Sequence, residues 1–431
     1  MNYILQIWHS KDLRNKILFT LALLVLSRLL GQVSLPQANT AALKVLFDQN
    51  QLLGMFSLLT GGNAENFSII LMGLSPYINA SIIVQLLTVI IPKLENLSKE
   101  GEQGRRTLNQ YTRLLTIPIA FLQSYGMIAL LNSQSPIPII DNINAPNVIL
   151  PVMLTVMAGS MLLMWLGELI TEKGIGNGVS LLIFAGIIAG IPPVIGNSLT
   201  LAQTGGEKLI PLVIMILATL GLTVLVILIT EAQRQIPVIY AGHGMKGKSA
   251  NSNLPIRVNQ AGMIPIIFAV SLVSFPGLIA TFLQNSANET LQGVASFIAS
   301  NFHQNSPLYV LCYFLLIIAF TFFYVSITFN PEQVAENIQK RGGYIPGIRP
   351  GKQTSEYLGK VSNRLNLYGG IFIALIAISP IILGNSFSAL NLGSVPTLIS
   401  GAGLIIIAGV VLELLRQINA QLVMHDYNKL Y

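Results

Sequence analysis

The chain has 431 residues, of which 52% are hydrophobic and only 10% charged, and its mean hydropathy is +0.67. No water-soluble globular domain needs that much apolar material to fill its core, so the bilayer is the expected solvent and a sizeable soluble domain is excluded. The net charge of +7 and isoelectric point near 9.4 raise nucleic acid as a partner, a question that the placement of the charges decides.

A helix needs about 20 mostly apolar residues to cross roughly 30 Å of hydrocarbon, and such stretches recur along the whole chain. Spans are predicted at 17–34, 68–91, 114–131, 148–167, 179–196, 209–230, 261–283, 307–329, 367–385 and 397–415. The first follows a basic start (Lys11, Arg14, Lys16), as a secretion signal would, but has no small-x-small cleavage site and is read as a retained span. Next comes QLLGMFSLLTGG at 51–62, an apolar run too short to cross and closed by the helix-stopping pair Gly61-Gly62. It either rests on the outer surface as an amphipathic helix or folds back into the protein. GIGNG at 174–178 is glycine-rich but lacks the Lys and Ser/Thr of a phosphate-binding loop, and it joins two apolar spans. Cys312 lies alone inside the apolar run Leu308 to Phe329, and His9, His243, His303 and His425 are scattered without metal-ligand spacing. No catalytic constellation, metal or cofactor is expected.

Lysines and arginines sort by side. Lys11, Arg14 and Lys16 precede the first span; Lys93, Lys99, Arg105, Arg106 and Arg113 lie between the second and third. The same side receives Lys173, the loop with Arg234, Lys246, Lys248 and Arg257, the loop from Lys340 to Arg364, and finally Arg416 and Lys429. The opposite loops hold only Lys44 and Lys208, so the positive-inside rule places both termini in the cytosol. The basic balance is therefore topogenic. Ten spans divide into two sets of five, and an odd number per set inverts the second relative to the first, with the split near Gly205-Gly206. The halves are 1–204, with the 51–62 segment, and 205–431, with cytosolic loops at 231–260 and 330–366. Apart from Arg28, near the outer end of the first span, no charge falls at the centre of a span, which counts against an ion-coupled pump. Asn79, Gln85, Asn259 and Gln260 are polar and uncharged, suited either to interhelical hydrogen bonds or to a gate.

Several runs resemble the SecY family of protein-conducting channels, over about residues 60 to 415. They are GLSPYINASIIVQLLTVIIP at 73–92, KEGEQGRRTLNQYTR at 99–113, WLGELITEKGIGNGVSLLIFAGI at 165–187, VNQAGMIPIIFA at 258–269, FNPEQVAENIQKRGGYIPGIRPGKQT at 329–354, and the span beginning at Gly401. The resemblance implies an all-α integral membrane fold of ten helices in two inverted halves around a central pore. It implies a channel that passes unfolded polypeptides across the membrane and releases apolar segments sideways into lipid. The segment 51–62 becomes a plug. The pore ring becomes Leu74, Ile78, Ile183, Ile187, Ile267 and Ile406, with Leu74 standing where the family usually has isoleucine. A lateral gate is implied between the second and third spans and the seventh and eighth, with Asn79, Gln85, Thr88, Asn259 and Gln260 as its polar candidates. The two cytosolic loops carry Gly and Pro and are expected to project as ordered turns. By resemblance they dock a ribosome or the SecA motor through Arg349, Lys352, Arg234, Lys246, Lys248 and Arg257; attraction to anionic lipid is the other reading of that charge. Small single-span subunits similar to SecE and SecG and signal-bearing preproteins are implied partners, in a bacterial inner membrane or a thylakoid or plastid membrane. A small-molecule secondary transporter with inverted repeats is the alternative function.

Overall fold

The computed structural model describes residues 10–39, 43, 66–134, 138–140, 145–203, 209–240, 250–284, 289–302, 306–389 and 400–429. The plug segment 51–62 and the basic residues Lys246 and Lys248 lie outside these. The described elements are α1 (Lys11–Gln32), α2 (Ser75–Ile90), α3 (Pro92–Lys99), α4 (Glu102–Gln134), α5 (Pro146–Lys173), α6 (Gly178–Gln203) and α7 (Leu209–Glu231). A hairpin, β1 (Gln233–Tyr240) and β2 (Ala250–Arg257), follows, then α8 (Ile264–Gln284), α9 (Glu289–Asn301), α10 (Pro307–Thr328), α11 (Pro331–Lys340), β3 (Gly343–Tyr344), α12 (Lys352–Ala389) and α13 (Gly401–Lys429).

Each predicted span coincides with a helix, with informative departures. The second span is helical only from Ser75, where Pro76 is set in the first turn. The preceding residues instead lie against the end of α1: Leu35 N–H donates to Phe67 O at 3.0 Å and Ile69 N–H to Val33 O at 3.0 Å. At its other end α2 meets α3 at a bend of 103°, where Pro92 interrupts the backbone ladder. Helices α4 and α12 run well past their apolar stretches, to 33 and 38 residues, because their polar first turns pack on other elements instead of unwinding. Among the described residues, the helical stretches Pro146–Lys173, Pro307–Lys340, Lys352–Gly384 and Gly401–Met424 are each long and apolar enough to cross a membrane, and the bent pair α2–α3 passes jointly. Shorter apolar stretches such as Gly178–Pro193 and Ile264–Val273 need neighbours to complete a crossing.

The loops at 231–260 and 330–366, expected as turns, form a small β-containing unit. Strand order is β2-β1-β3; β1 and β2 pair antiparallel from Gln233↔Arg257 to Tyr240↔Ala250, and β3 adds Tyr344 opposite Ile239. Ile236, Val238 and Ile256 on one face of the hairpin bury against Ala335 and Ile338 of α11, Ile345, and Leu358 and Val361 of α12. The alternation that buries Ile236 and Val238 but exposes Gln235 and Pro237 is the period of a one-sided sheet.

Three larger apolar clusters organise the bundle. One, including Phe67, Leu71, Ile128, Val152 and Val156, lies within the first half of the sequence. A second, including Phe268, Ile317, Phe320, Ile373 and Ile405, lies mainly in the second half but takes in Ile82 of α2. The third draws on α2, α5, α6, α8 and α13 and so joins the two halves.

Candidate pore constriction and cytosolic docking face

Leu74, Ile187 and Ile406 are buried members of that joining cluster, and Ile78, Ile183 and Ile267 pack against it as partly buried neighbours. The six ring candidates, contributed by the start of α2 and by α6, α8 and α13, therefore come together in one aliphatic cluster. Local chemistry sets each approach. The α5–α6 elbow is the GIGNG run: Gly178 N–H donates to Thr171 Oγ1 at 2.8 Å, Ile175 N–H to Thr20 Oγ1 at 3.1 Å, and Ser180 N–H to Asn177 Oδ1 at 3.3 Å. A Cβ on Gly178 would stand 1.9 Å from Gly167 O, so only glycine lets the start of α6 lie on α5 and aim Ile183 and Ile187 inward. Arg28 ties α1 to the same region, its guanidinium donating to Leu182 O at 3.5 Å. Before α8, Asn259 Oδ1 accepts from Gly262 N–H at 2.8 Å, closing a turn in which Gly262 has φ 66°, a left-handed backbone suited to glycine. That turn directs Met263 and Ile267 to the cluster. At α13, Ser400 Oγ caps Gly403 N–H at 3.0 Å, three residues before Ile406.

The seam expected of the gate has α2 and α4 both packed on α8, and α8 on α10. It is chiefly apolar: Ile78, Ile82 and Leu86 of α2 meet Ile266, Phe268 and their neighbours. Asn79 is buried in it with its Oδ1 unpartnered. Gln85 and Thr88 bond within α2, Gln85 Nε2 to Ser81 Oγ at 3.3 Å and Thr88 Oγ1 to Gln85 O at 2.7 Å. Asn259 and Gln260 lie on the entry to α8. Gln260 Oε1 faces α12, accepting from Ser362 Oγ at 3.0 Å.

The docking candidates divide by setting. Arg349 is exposed, but its backbone is pinned: its carbonyl accepts from Thr354 Oγ1 at 2.9 Å, and Ile345 on one side is buried in the small unit's core. The turn thus presents a guanidinium on a rigid base. Lys352 opens α12, exposed, and Arg234 is exposed on β1. Arg257 sits at the base of the hairpin beside a charge cluster that hydropathy could not anticipate. Glu231 at the end of α7 pairs with Arg416 of α13. Partial burial, and then the like charge of Arg416, push the Arg257 pKa below its ordinary value, while Glu231 and Glu413 pull it back up. A further pair, Arg113 Nε to Glu168 Oε1 at 2.6 Å, links α4 and α5. The acids of these two pairs, Glu168 and Glu231, lie 55 and 185 residues from their partners, and no local pattern announces the pairing.

A multi-pass helical membrane protein with an apolar cluster joining helices from both ends of its sequence and a structured unit bearing exposed basic residues is the class these features define. The family model for SecY matches residues 68–415. The chain is similar to the protein translocase subunit SecY of Bacillus licheniformis, 41% identical over 429 residues, covering 97% of this chain and 96% of that one. Among solved structures it resembles one described as showing that the plug domain of SecY stabilises the closed state of the translocation channel and maintains a membrane seal (TM-score 0.64, 20% identity, 94% of this chain and 91% of the other). It also resembles Sec61 in the canine ribosome–channel complex from the endoplasmic reticulum (TM-score 0.62, 20% identity, 94% and 91%). At those identities the structures establish the fold, and the sequence relationship establishes kinship. The chain belongs to the SecY family.

Proposed function

We propose that this chain is the protein-conducting channel subunit of a Sec translocase, passing unfolded polypeptides across the membrane and releasing hydrophobic segments into lipid. The observation that carries this is the meeting of Leu74, Ile78, Ile183, Ile187, Ile267 and Ile406 in one cluster that joins the halves. Aliphatic side chains deform around a passing chain without binding any particular residue, and a dewetted constriction resists ions when empty. On this reading ten spans form two inverted halves, 1–204 and 205–431, and the gate is the seam of α2 and α4 on α8 and α10. Asn79, Gln85, Thr88, Asn259 and Gln260 are its polar members, and the hydrogen bond from Ser362 to Gln260 supports a link from the entry of α8 to α12. Segment 51–62 closes the outer vestibule as a plug. Arg349, Lys352, Arg234 and Arg257, with Lys246 and Lys248, receive a ribosome or the SecA motor, and single-span subunits similar to SecE and SecG complete the complex in a bacterial inner membrane. Similarity to a channel solved in a ribosome complex supports the first of those partners.

The test is Ile187→Asn. An amide in the constriction lowers the cost of keeping water there, so export of a substrate with a defective signal sequence is expected to rise while the amount of the variant in the membrane is maintained. Were Ile187 ordinary packing, the change would instead cost about 1–3 kcal/mol of stability. A reduced level with no gain in export of the defective substrate sinks the reading.

A further inference from the structure

Between α8 and α10 the chain makes α9, 13 residues long and too short to cross a bilayer. It packs on both neighbouring helices, and Ala295 is fully buried. Leu291, Val294 and Phe297, at i, i+3 and i+6, are nonetheless exposed, at 39%, 51% and 60%. Gln292, Ser296 and Ser300, at i, i+4 and i+8, are exposed on another side, the two serines donating back to Gly293 O and Phe297 O at 2.9 and 3.0 Å. The helix therefore packs through Ala295, with Leu291 one turn away at the margin of that side, opens an apolar side through Val294 and Phe297, and turns a polar side outward. The helices it joins also expose large apolar residues, Leu272 and Ile279 of α8 and Leu311 and Leu315 of α10. Both ends of α9 connect to membrane helices on the non-cytosolic side of the predicted topology. Residues 285–306 contain one acid, Glu289, and no lysine or arginine.

We infer that α9 is an interfacial helix whose Leu291, Val294 and Phe297 insert into the outer leaflet at the boundary between headgroups and acyl chains. A short helix with one apolar and one polar side lies in that plane, and burial of apolar area supplies its affinity. With no cationic side chain, its seating does not depend on anionic lipid. The occupant of the exposed side is thus phospholipid in general, not an acidic headgroup.

The experiment uses the full-length chain with its two tryptophans, Trp8 and Trp165, replaced by phenylalanine, since Trp165 is itself 54% exposed on α5 and would obscure the signal. F297W, L291W and S296W are reconstituted separately into phosphatidylcholine vesicles carrying bromine either near the glycerol end of the acyl chains or near the terminal methyl. F297W and L291W are expected to lose most of their emission to the shallow bromines and little to the deep ones. S296W should lose little to either, and replacing part of the lipid with phosphatidylglycerol or raising salt should leave the pattern unchanged. Absence of quenching at both 297 and 291, quenching at 296 equal to theirs, or stronger quenching by the deep bromines overturns the inference. Quenching that appears only with phosphatidylglycerol overturns its charge-independent form.

Discussion

At the scale of single residues, the elbow between α5 and α6 has little room to adapt. Gly178→Ala places a methyl group 1.9 Å from a backbone oxygen, and backbone cannot rotate away as a side chain does. The expected cost is about 1–3 kcal/mol, seen as a lower melting temperature in detergent and less protein in the membrane; an unchanged melting temperature would mean that the two helices are not in close contact there. Arg349 is the opposite case, an exposed side chain on a pinned backbone. Arg349→Glu is expected to impair translocation while leaving abundance nearly unchanged, because its guanidinium can meet an acidic or phosphate partner bidentately and nothing in the fold leans on it. Normal export by this variant at normal level would exclude the docking role. All six proposed ring residues were legible only through the family resemblance; spacing by four says only that Ile183 and Ile187 share one side of α6, which ordinary packing would also give. The surroundings of Arg257 were not legible, since the charges that act on it come from α7 and α13, distant in sequence.

Among the elements, the helices could be read from hydropathy because lipid forces every backbone group to be satisfied within its own segment, which makes the apolar run and the helix nearly the same object. The strands could not. QRQIPVIY and ANSNLPIR are short, half polar and each interrupted by proline, and they become a hairpin through burial of Ile236, Val238 and Ile256 against α11 and α12. The late start of α2 has a similar origin, in contacts of residues 67 and 69 with the end of α1. The short apolar run at 51–62 is expected to act as a separable seal. On the proposed function, deleting residues 54–62 should make the reconstituted channel leakier to ions without abolishing export, because an apolar run too short to span and closed by two glycines can serve as a seal without being part of the conducting path. Conductance equal to that of the intact chain would remove the plug assignment.

For the molecule as a whole, orientation is the most direct check on the two-half arrangement. With Cys312 replaced by serine, Lys352→Cys is expected to react with a membrane-impermeant thiol reagent only from the cytosolic side and Ser296→Cys only from the other. Both positions are exposed, so labelling of both from one side would break the topology drawn from charge. One cluster lies within the first half of the sequence, a second mainly within the second half with Ile82 of α2 added, and they are joined by a third whose six proposed ring members are all aliphatic. That last property reaches beyond permeability. A constriction without charges or fixed dipoles among its six members interacts alike with a chain moving inward or outward, and a site with no preference between two states cannot shift the balance between them. On the proposed function, such a ring lowers friction but does not rectify motion. Net direction would then be imposed where the chain is gripped or trapped, by whatever acts at the basic face or by folding and binding on the far side, and the proposed pore would work as a passive bearing.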